Sequence, residues 1–121
     1  MKGIRVRNVS RDQVLAESAR HATRMWERLV GLLGTPVLQA GEGLVLEPCN
    51  SVHMWGMRYP LDVIFADVEG TVLGVVQDLR PWRVTRIYRG ARMAVELPVG
   101  VVERTGTCLG DKLALEALEG E

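Results

Sequence analysis

The stretch LDVIFADVEGTVLGVVQD, residues 61–78, decides the fold. Two β-rich runs, Leu61–Ala66 and Thr71–Asp78, flank the polar segment Asp67, Val68, Glu69, Gly70. Gly70 can adopt the positive φ that a tight hairpin turn requires, so the spacing predicts an antiparallel hairpin. Outward from it the pattern repeats. Gly43–Leu46, Thr85–Tyr88, Met93–Leu97 and Lys112–Leu115 read as further strands with turn residues between them, and Ile4–Asn8 and Gln13–Ala19 read as a pair around the turn Ser10, Arg11, Asp12. Many short strands at roughly ten-residue spacing predict a mainly β sandwich, jelly roll or barrel. One stretch reads as a packed helix, from about Thr23 to Leu33. Thr23 can cap it, Trp26, Leu29, Val30 and Leu33 fall on one face, and Gly34 and Pro36 end it. Arg24, Glu27 and Arg28 lie on the opposite face as solvated surface.

The chain of 121 residues fits a single domain spanning 1–121, with 47% hydrophobic and 25% charged residues. That length supports a hydrophobic core without disulfide or metal staples. Fifteen basic residues balance fifteen acidic ones, so the global attraction expected of a nucleic-acid binder is missing. Cys49 and Cys108 have no CxxC spacing and read as reduced thiols; whether their backbones approach closely enough for a bridge is not written in the sequence. The start of the chain alternates Ile4, Val6 and Val9 with polar residues and has no leader-like apolar run. No run approaches the roughly 18 to 20 apolar residues that cross a bilayer. The expectation is a cytoplasmic protein without a membrane partner.

Chemistry-bearing residues concentrate in Pro48–Asp62: Pro48, Cys49, Asn50, Ser51, Val52, His53, Met54, Trp55, Gly56, Met57, Arg58, Tyr59, Pro60, Leu61, Asp62. In an extended run, Cys49, Ser51, His53, Trp55 and Met57 would share a face unless Gly56 breaks the register. Three readings follow. Cys49, His53, Met54 and Met57 offer soft metal ligands, although their spacing matches no metal motif. Cys49 with His53 as base would make a thiol or hydrolase-like enzyme, with Asp62 or Glu96 orienting and Asn50 or Ser51 holding an oxyanion. In the third, Met54, Trp55, Met57 and Tyr59 are core and His53 is a hydrogen-bonded, half-buried histidine.

Asp62 and Glu96 resist the third reading, because each sits inside an apolar strand where a carboxylate needs a partner. For Asp62 the candidates are Arg58, Arg83 and His53. Two such acids suggest a polar pocket, or equally two arginine-satisfied braces at a barrel end. Arginines 80, 83, 86, 89 and 92 recur every third residue with Trp82 and Tyr88 interleaved, the chain's one basic patch. A strand would scatter them over both faces, which disfavours a nucleic-acid stripe and leaves an anionic small molecule, a partner protein or plain solvated surface. Gly110 and Asp111 read as a turn into the last strand, Asp111 bonding local backbone.

With these residues in view, the chain resembles the prokaryotic family known as domain of unknown function 192, over nearly its whole length. The resemblance rests on Arg28, Gly31, Leu32 and Leu33, on Gly43 and on Pro48, Cys49, Asn50, Ser51, Val52, His53 and Met54. It continues through Met57, Arg58, Tyr59, Pro60, Leu61, Asp62, Val63, Ile64 and Phe65, then Pro81, Trp82 and Arg83, Glu96 to Gly100, and Gly110 with Asp111. It implies a compact, mainly β fold of sandwich or jelly-roll type with one packed helix. It implies no activity, and carries over only positions: Met57 to Asp62, Trp82, Arg83, Glu96 and Asp111. The resemblance implies an export leader in many relatives, and none is expected from the opening residues of this sequence. The expected site is a cleft lined by His53, Met57, Arg58, Asp62, Trp82, Arg83 and Glu96 that binds a small polar or anionic ligand. The alternatives are the Cys49–His53 enzyme and a protein-interaction module using the arginine-rich segment 80–92. No motif specifies a cofactor or an oligomeric state.

Overall fold

The computed structural model describes residues 3–24 and 37–118. Its strands are β1 (Gly3–Asn8), β2 (Gln13–Ala22), β3 (Glu42–Leu46), β4 (Leu61–Ala66), β5 (Val72–Leu79), β6 (Met93–Leu97) and β7 (Leu113–Ala117), with a short helix α1 (Val101–Thr105) between the last two. They form one seven-stranded sheet in the order β5-β4-β6-β3-β2-β1-β7. Every neighbouring pair is antiparallel except β2 and β3, which run parallel. A parallel pair needs a long crossover, and here the chain between Ala22 and Glu42 provides it. The helix expected over Thr23–Leu33 falls on that crossover. Thr23 and Arg24 are irregular, and the rest of the expected helix lies outside the described residues.

The sheet curls until its two edges meet at one end. Thr71 bridges Lys112, the Val72 N–H donates to the Asp111 carbonyl (2.8 Å), and the Leu113 N–H donates to the Gly70 carbonyl (2.8 Å). Gly70 makes this closure possible. Its φ is 87°, as the hairpin turn requires, and a Cβ there would run into the Leu113 carbonyl.

Curling produces two cores. All seven strands contribute to the inner one, with Val6, Leu15, Val45, Ile64, Val95 and Leu97 among its members, and Val101 and Val102 of α1 plug it. The outer core is built on Leu44, Val63, Phe65 and Ala94 and is covered by Val52, Met54, Met57 and other residues of the connections. Strands β3, β4 and β6 are therefore apolar on both faces, and all six residues of β4 are buried. That burial is why Leu61–Ala66 reads as a nearly continuous hydrophobic run.

Asp62 is the exception in that run, and none of its three expected partners holds it. Its Oδ1 accepts from the Asp78 N–H (3.0 Å) and its Oδ2 from the N–H groups of Gly100 and Val102 (3.0 Å each). Gly100 opens α1 at φ 103° without a capping side chain of its own, so the Asp62 carboxylate performs that task from another strand. His53, Arg58 and Arg83 are all exposed, whereas Asp62 is fully buried and faces the inner core beside Leu97, its partner on β6. Backbone amides supply what arginine was expected to supply.

Asp62→Ala should cost about 3–5 kcal/mol by orphaning three N–H groups, and Asp62→Asn, which keeps one acceptor oxygen, should cost less. Urea unfolding midpoints check this, with Arg58→Ala and Arg83→Ala expected within about 0.5 kcal/mol of the parent.

Candidate functional site

Two irregular segments, 49–58 and 81–89, lie side by side over the outer core. The Met54 N–H donates to the Arg83 carbonyl (2.8 Å), the Trp82 N–H to the Met54 carbonyl (2.9 Å), the Thr85 N–H to the Val52 carbonyl (2.9 Å) and the Tyr88 N–H to the Asn50 carbonyl (2.8 Å). His53 and Val84 form an isolated bridge. The strand expected at Thr85–Tyr88 is absent. Tyr88 instead turns inward to stack on Phe65 (centroids 4.3 Å apart) and lies flat against Gly74, where a Cβ would collide with its ring. A regular strand could not bring Tyr88 down while keeping Arg86 and Ile87 at the surface.

Alternation sorts the first segment. Val52 and Met54 point into the outer core, while His53 and Trp55 point out. Gly56, at φ 80°, resets the register, and Met57 points inward again. The single face expected for Cys49, Ser51, His53, Trp55 and Met57 is thus split. So is the soft-metal set, since Met54 and Met57 are buried and His53 is exposed. Among the described residues no group of three or more His, Cys, Asp or Glu side chains could hold a metal ion. Cys49 and Cys108 are not bridged to each other; Cys49 Sγ donates to the Ser51 carbonyl (3.1 Å) and packs on the outer core.

At the surface the two segments build an aromatic row. The His53 ring stacks on Trp55 (5.8 Å, 24° between planes), and Trp55 meets Trp82 at 6.2 Å and 37°. Trp55 is 47% exposed and Trp82 64%. Trp82 also sits at φ 68°, in the left-handed region that a bulky residue seldom occupies. Arg58 and Arg83 are exposed in the same two segments. Arg80 pairs with Asp78 (2.8 Å) and Arg92 with Glu47 (3.7 Å), whereas Arg58, Arg83, Arg86 and Arg89 have no ion pair among the described residues. Exposed guanidinium groups without an ion pair, in the same two segments as an aromatic row, are suited to holding a carboxylate or phosphate.

The expected seven-residue cleft therefore divides. His53, Arg58, Trp82 and Arg83 are at the surface, joined by Trp55; Met57, Asp62 and Glu96 are buried. Asp62 and Glu96 do not share a pocket. Adjacent strands carry the row Arg20, Leu44, Glu96, Val63, which places Glu96 on the outer-core face with Arg20 two strands away. Burial pushes the Glu96 carboxyl up from 4.5 to about 7, against the opposing pull of Arg20. One guanidinium nitrogen of Arg20 is buried with no hydrogen-bond partner among the described residues. Tyr59, the third member, has its hydroxyl pKa raised by burial and then by the Glu96 charge. Arg20 escaped the sequence reading, and Tyr59 was read there as core rather than as a neighbour of Glu96. The only available signal for Arg20 was that the strand after Gln13 continues past Ala19, since β2 reaches Ala22.

Asp111 does bond local backbone as expected, accepting from the Cys108 N–H (3.0 Å). It also receives Asn8 Nδ2 (3.0 Å) and Arg11 Nε (2.8 Å), tying the β1–β2 turn to the chain after α1. Burial opposes its ionisation, but these hydrogen bonds outweigh burial and bring its pKa from 3.8 down to about 2.

The family model for domain of unknown function 192, described as Uncharacterized ACR, COG1430, matches residues 6–115. A UPF0127 protein of Thermococcus sibiricus is 29% identical over 116 residues, covering 93% of this chain and 75% of the relative. A UPF0127 protein of Pyrococcus abyssi is 38% identical over 63 residues, 52% of this chain and 53% of the relative. The fold is shared with a crystal structure of a protein of unknown function from Novosphingobium aromaticivorans (TM-score 0.79, 21% identity, 93% of this chain and 83% of the other). It is shared also with a Sinorhizobium meliloti protein named provisionally as a transcription regulator (TM-score 0.77, 22% identity, 94% and 92%). Among the described residues no helix is long and apolar enough to cross a membrane.

The buried acids predict opposite pH effects. The folded state disfavours ionised Glu96, so stability should fall as pH rises from 4.5 through about 7 and then level off. Glu96→Gln should remove that slope and be more stable than the parent at pH 8 by about 3 kcal/mol or less, the shortfall reflecting an Arg20 left without its carboxylate. Asp111 favours the folded state when ionised, a contribution present above 3.8 and lost as pH falls through about 2. Asp111→Asn should flatten this acid limb; thermal melts from pH 2 to 8 measure both slopes.

Proposed function

For a chain that belongs to the domain of unknown function 192 family, we propose the role of a binding module whose ligand is a small anion carrying a flat or apolar ring. The ligand lies on the row formed by His53, Trp55 and Trp82, and Arg83 and Arg58 hold its carboxylate or phosphate. One observation carries this reading. Trp82 is held in a left-handed backbone conformation while most of its surface faces water. Such a conformation costs on the order of 1–3 kcal/mol, and an exposed indole recovers little of that by burial, so the arrangement makes sense as a surface kept ready for something that stacks on it. Met57, on the inner side of the same segment, fixes the platform from below and does not touch the ligand.

A second reading, a protein-interaction module built on segment 80–92, rests on a separate observation. The chain from Pro81 to Val95 contains no acidic residue, and Val84 and Ile87 are exposed beside its arginines. A protein partner would bury these apolar side chains, which a small ring stacked at Trp82 would leave in water.

The test is thermal melting and intrinsic tryptophan fluorescence against aromatic carboxylates and nucleoside monophosphates. A ligand at about 100 times its dissociation constant adds roughly 2.7 kcal/mol, a shift of several degrees. Trp82→Ala and Arg83→Ala should abolish the shift and the fluorescence change while leaving the ligand-free melting temperature nearly unchanged or, for Trp82→Gly, slightly raised. A shift that survives in both variants would place the ligand elsewhere.

A further inference from the structure

The connections that cover the outer core are free of acidic residues. Residues 48–61 and 79–95 hold six of the fifteen lysines and arginines of the chain and none of its fifteen acids. The rest of the sequence sets nine basic residues against all fifteen acids, so a chain without net charge is polarised. Of the four acids that flank the two segments, Asp62 and Glu96 are buried, Glu47 meets Arg92 (3.7 Å) and Asp78 meets Arg80 (2.8 Å). Arg58, Arg83, Arg86 and Arg89 are left exposed and without an ion pair among the described residues.

Two objections to a nucleic-acid ligand lose their force here. Charge is balanced over the chain as a whole but not over this cover. A strand at 85–88 would have sent the arginines to both faces, yet the segment is irregular, and Arg83, Arg86 and Arg89 are all exposed. Rings accompany the charge. His53 and Val84 oppose each other in an antiparallel bridge and are both exposed, which sets Val84 beside the row His53, Trp55, Trp82. A single stacked ring would leave Val84 and Ile87 in water, whereas a strand of several nucleotides has rings enough to cover them. Base faces are occupied by neighbouring pairs in a duplex and can be splayed onto aromatic side chains in a single strand. A guanidinium fork fits phosphate, and a polyanion with one flat ring per charge uses arginines and tryptophans together; an acidic protein segment brings the charges without a ring at each.

We propose that the surface formed by segments 49–58 and 81–89 binds single-stranded nucleic acid irrespective of sequence, with bases stacked on Trp55 and Trp82 and phosphates held by Arg58, Arg83, Arg86 and Arg89. The inference rests on the stacking role already given to the Trp82 row and extends its ligand from one ring with one anion to a chain of them.

The experiment is a fluorescence-anisotropy titration of the whole protein into labelled mixed-sequence dodecamers, as single-stranded RNA, single-stranded DNA and the corresponding duplexes, at several salt concentrations. Unlabelled poly-L-glutamate, polyphosphate and nucleoside monophosphates serve as competitors. The single strands should bind about tenfold or more tighter than the duplexes or either ring-free polyanion. Binding of RNA or of DNA supports the proposal, and the tighter of the two names the strand. The logarithm of the binding constant should fall against the logarithm of salt concentration by about 0.7 for each phosphate held, a slope of up to about 3 for four arginines. Trp82→Ala should weaken binding about tenfold with the slope unchanged, and Arg89→Ala should lower the slope by about 0.7. The proposal is overturned if a duplex, polyglutamate or polyphosphate binds as tightly as the single strands, polyglutamate pointing to an acidic protein instead. It is overturned also if Trp55→Ala and Trp82→Ala both leave the affinity unchanged. Monophosphates that compete as tightly as the dodecamers would overturn the extension and leave the small-ligand reading standing, and a panel in which nothing binds below millimolar concentration would remove both.

Discussion

Burial of the central strands on both faces is the constraint from which the rest of the molecule follows. β4, β6 and β3 carry apolar side chains in both directions, so a flat sheet of these seven strands would leave one of its two cores in water. Curling hides one face inside the strands themselves, and α1 seals that interior. The other face has no layer of regular structure among the described residues. It is covered by connections, and connections cover a sheet by placing an anchor wherever their irregular backbone comes close: Val52, Met54, Met57, Tyr88. Residues between anchors are turned outward. His53, Trp55, Trp82 and Arg83 belong to that outward set, so the displayed face is a geometric consequence of the way the outer core is closed.

Three buried acids illustrate how local surroundings decide what a carboxylate does. Asp62 meets three backbone N–H groups and becomes a cap and a brace. Asp111 meets an asparagine, an arginine and an amide, and its ionised form is held firmly. Glu96 is buried with Arg20 close enough to be felt electrostatically yet not paired within ion-pair distance, and its ionised form is disfavoured. Hydrogen-bond donors aimed at the oxygens separate Asp111 from Glu96, which burial alone would have pushed in the same direction.

Much of the fold was legible in the sequence because its signals are local. The hairpin around Gly70, the pair β1–β2 and strands β4 and β6 follow from alternation, apolar runs and turn residues. Helix α1 was not legible: five residues after Pro98 and Gly100 are too short to show a helical period, and its cap is supplied by Asp62 from a distant strand. Thr85–Tyr88 looked like a strand because threonine, isoleucine and tyrosine favour strands, but the pull of Phe65 on Tyr88 overrode that preference. The candidate site was read in the same uneven way. His53, Arg58, Trp82 and Arg83 stood out by residue type, whereas the partner of Asp62 could not, since backbone amides have no signature in a sequence. Trp55 was read both as core and as sharing a face with His53, because its outward direction depends on the register that Gly56 ends.

The surface with functional character lies where the regularity of the sheet stops. At the outer face, the cover must be irregular, and irregular backbone can present aromatic side chains at angles that a strand cannot, including the left-handed turn at Trp82. At β5, the curl closes one end through the Thr71–Lys112 bridge, and among the described residues no other strand pairs the rest of that edge. Its pairing with β4 is irregular on both sides of 74–76, between Val72 and Gly74 and between Val76 and Leu79, and Asp78 stands at φ 55°. Irregularities and a charge of this kind blunt an edge against unwanted pairing, so the open side of the sheet is protected without completing the barrel.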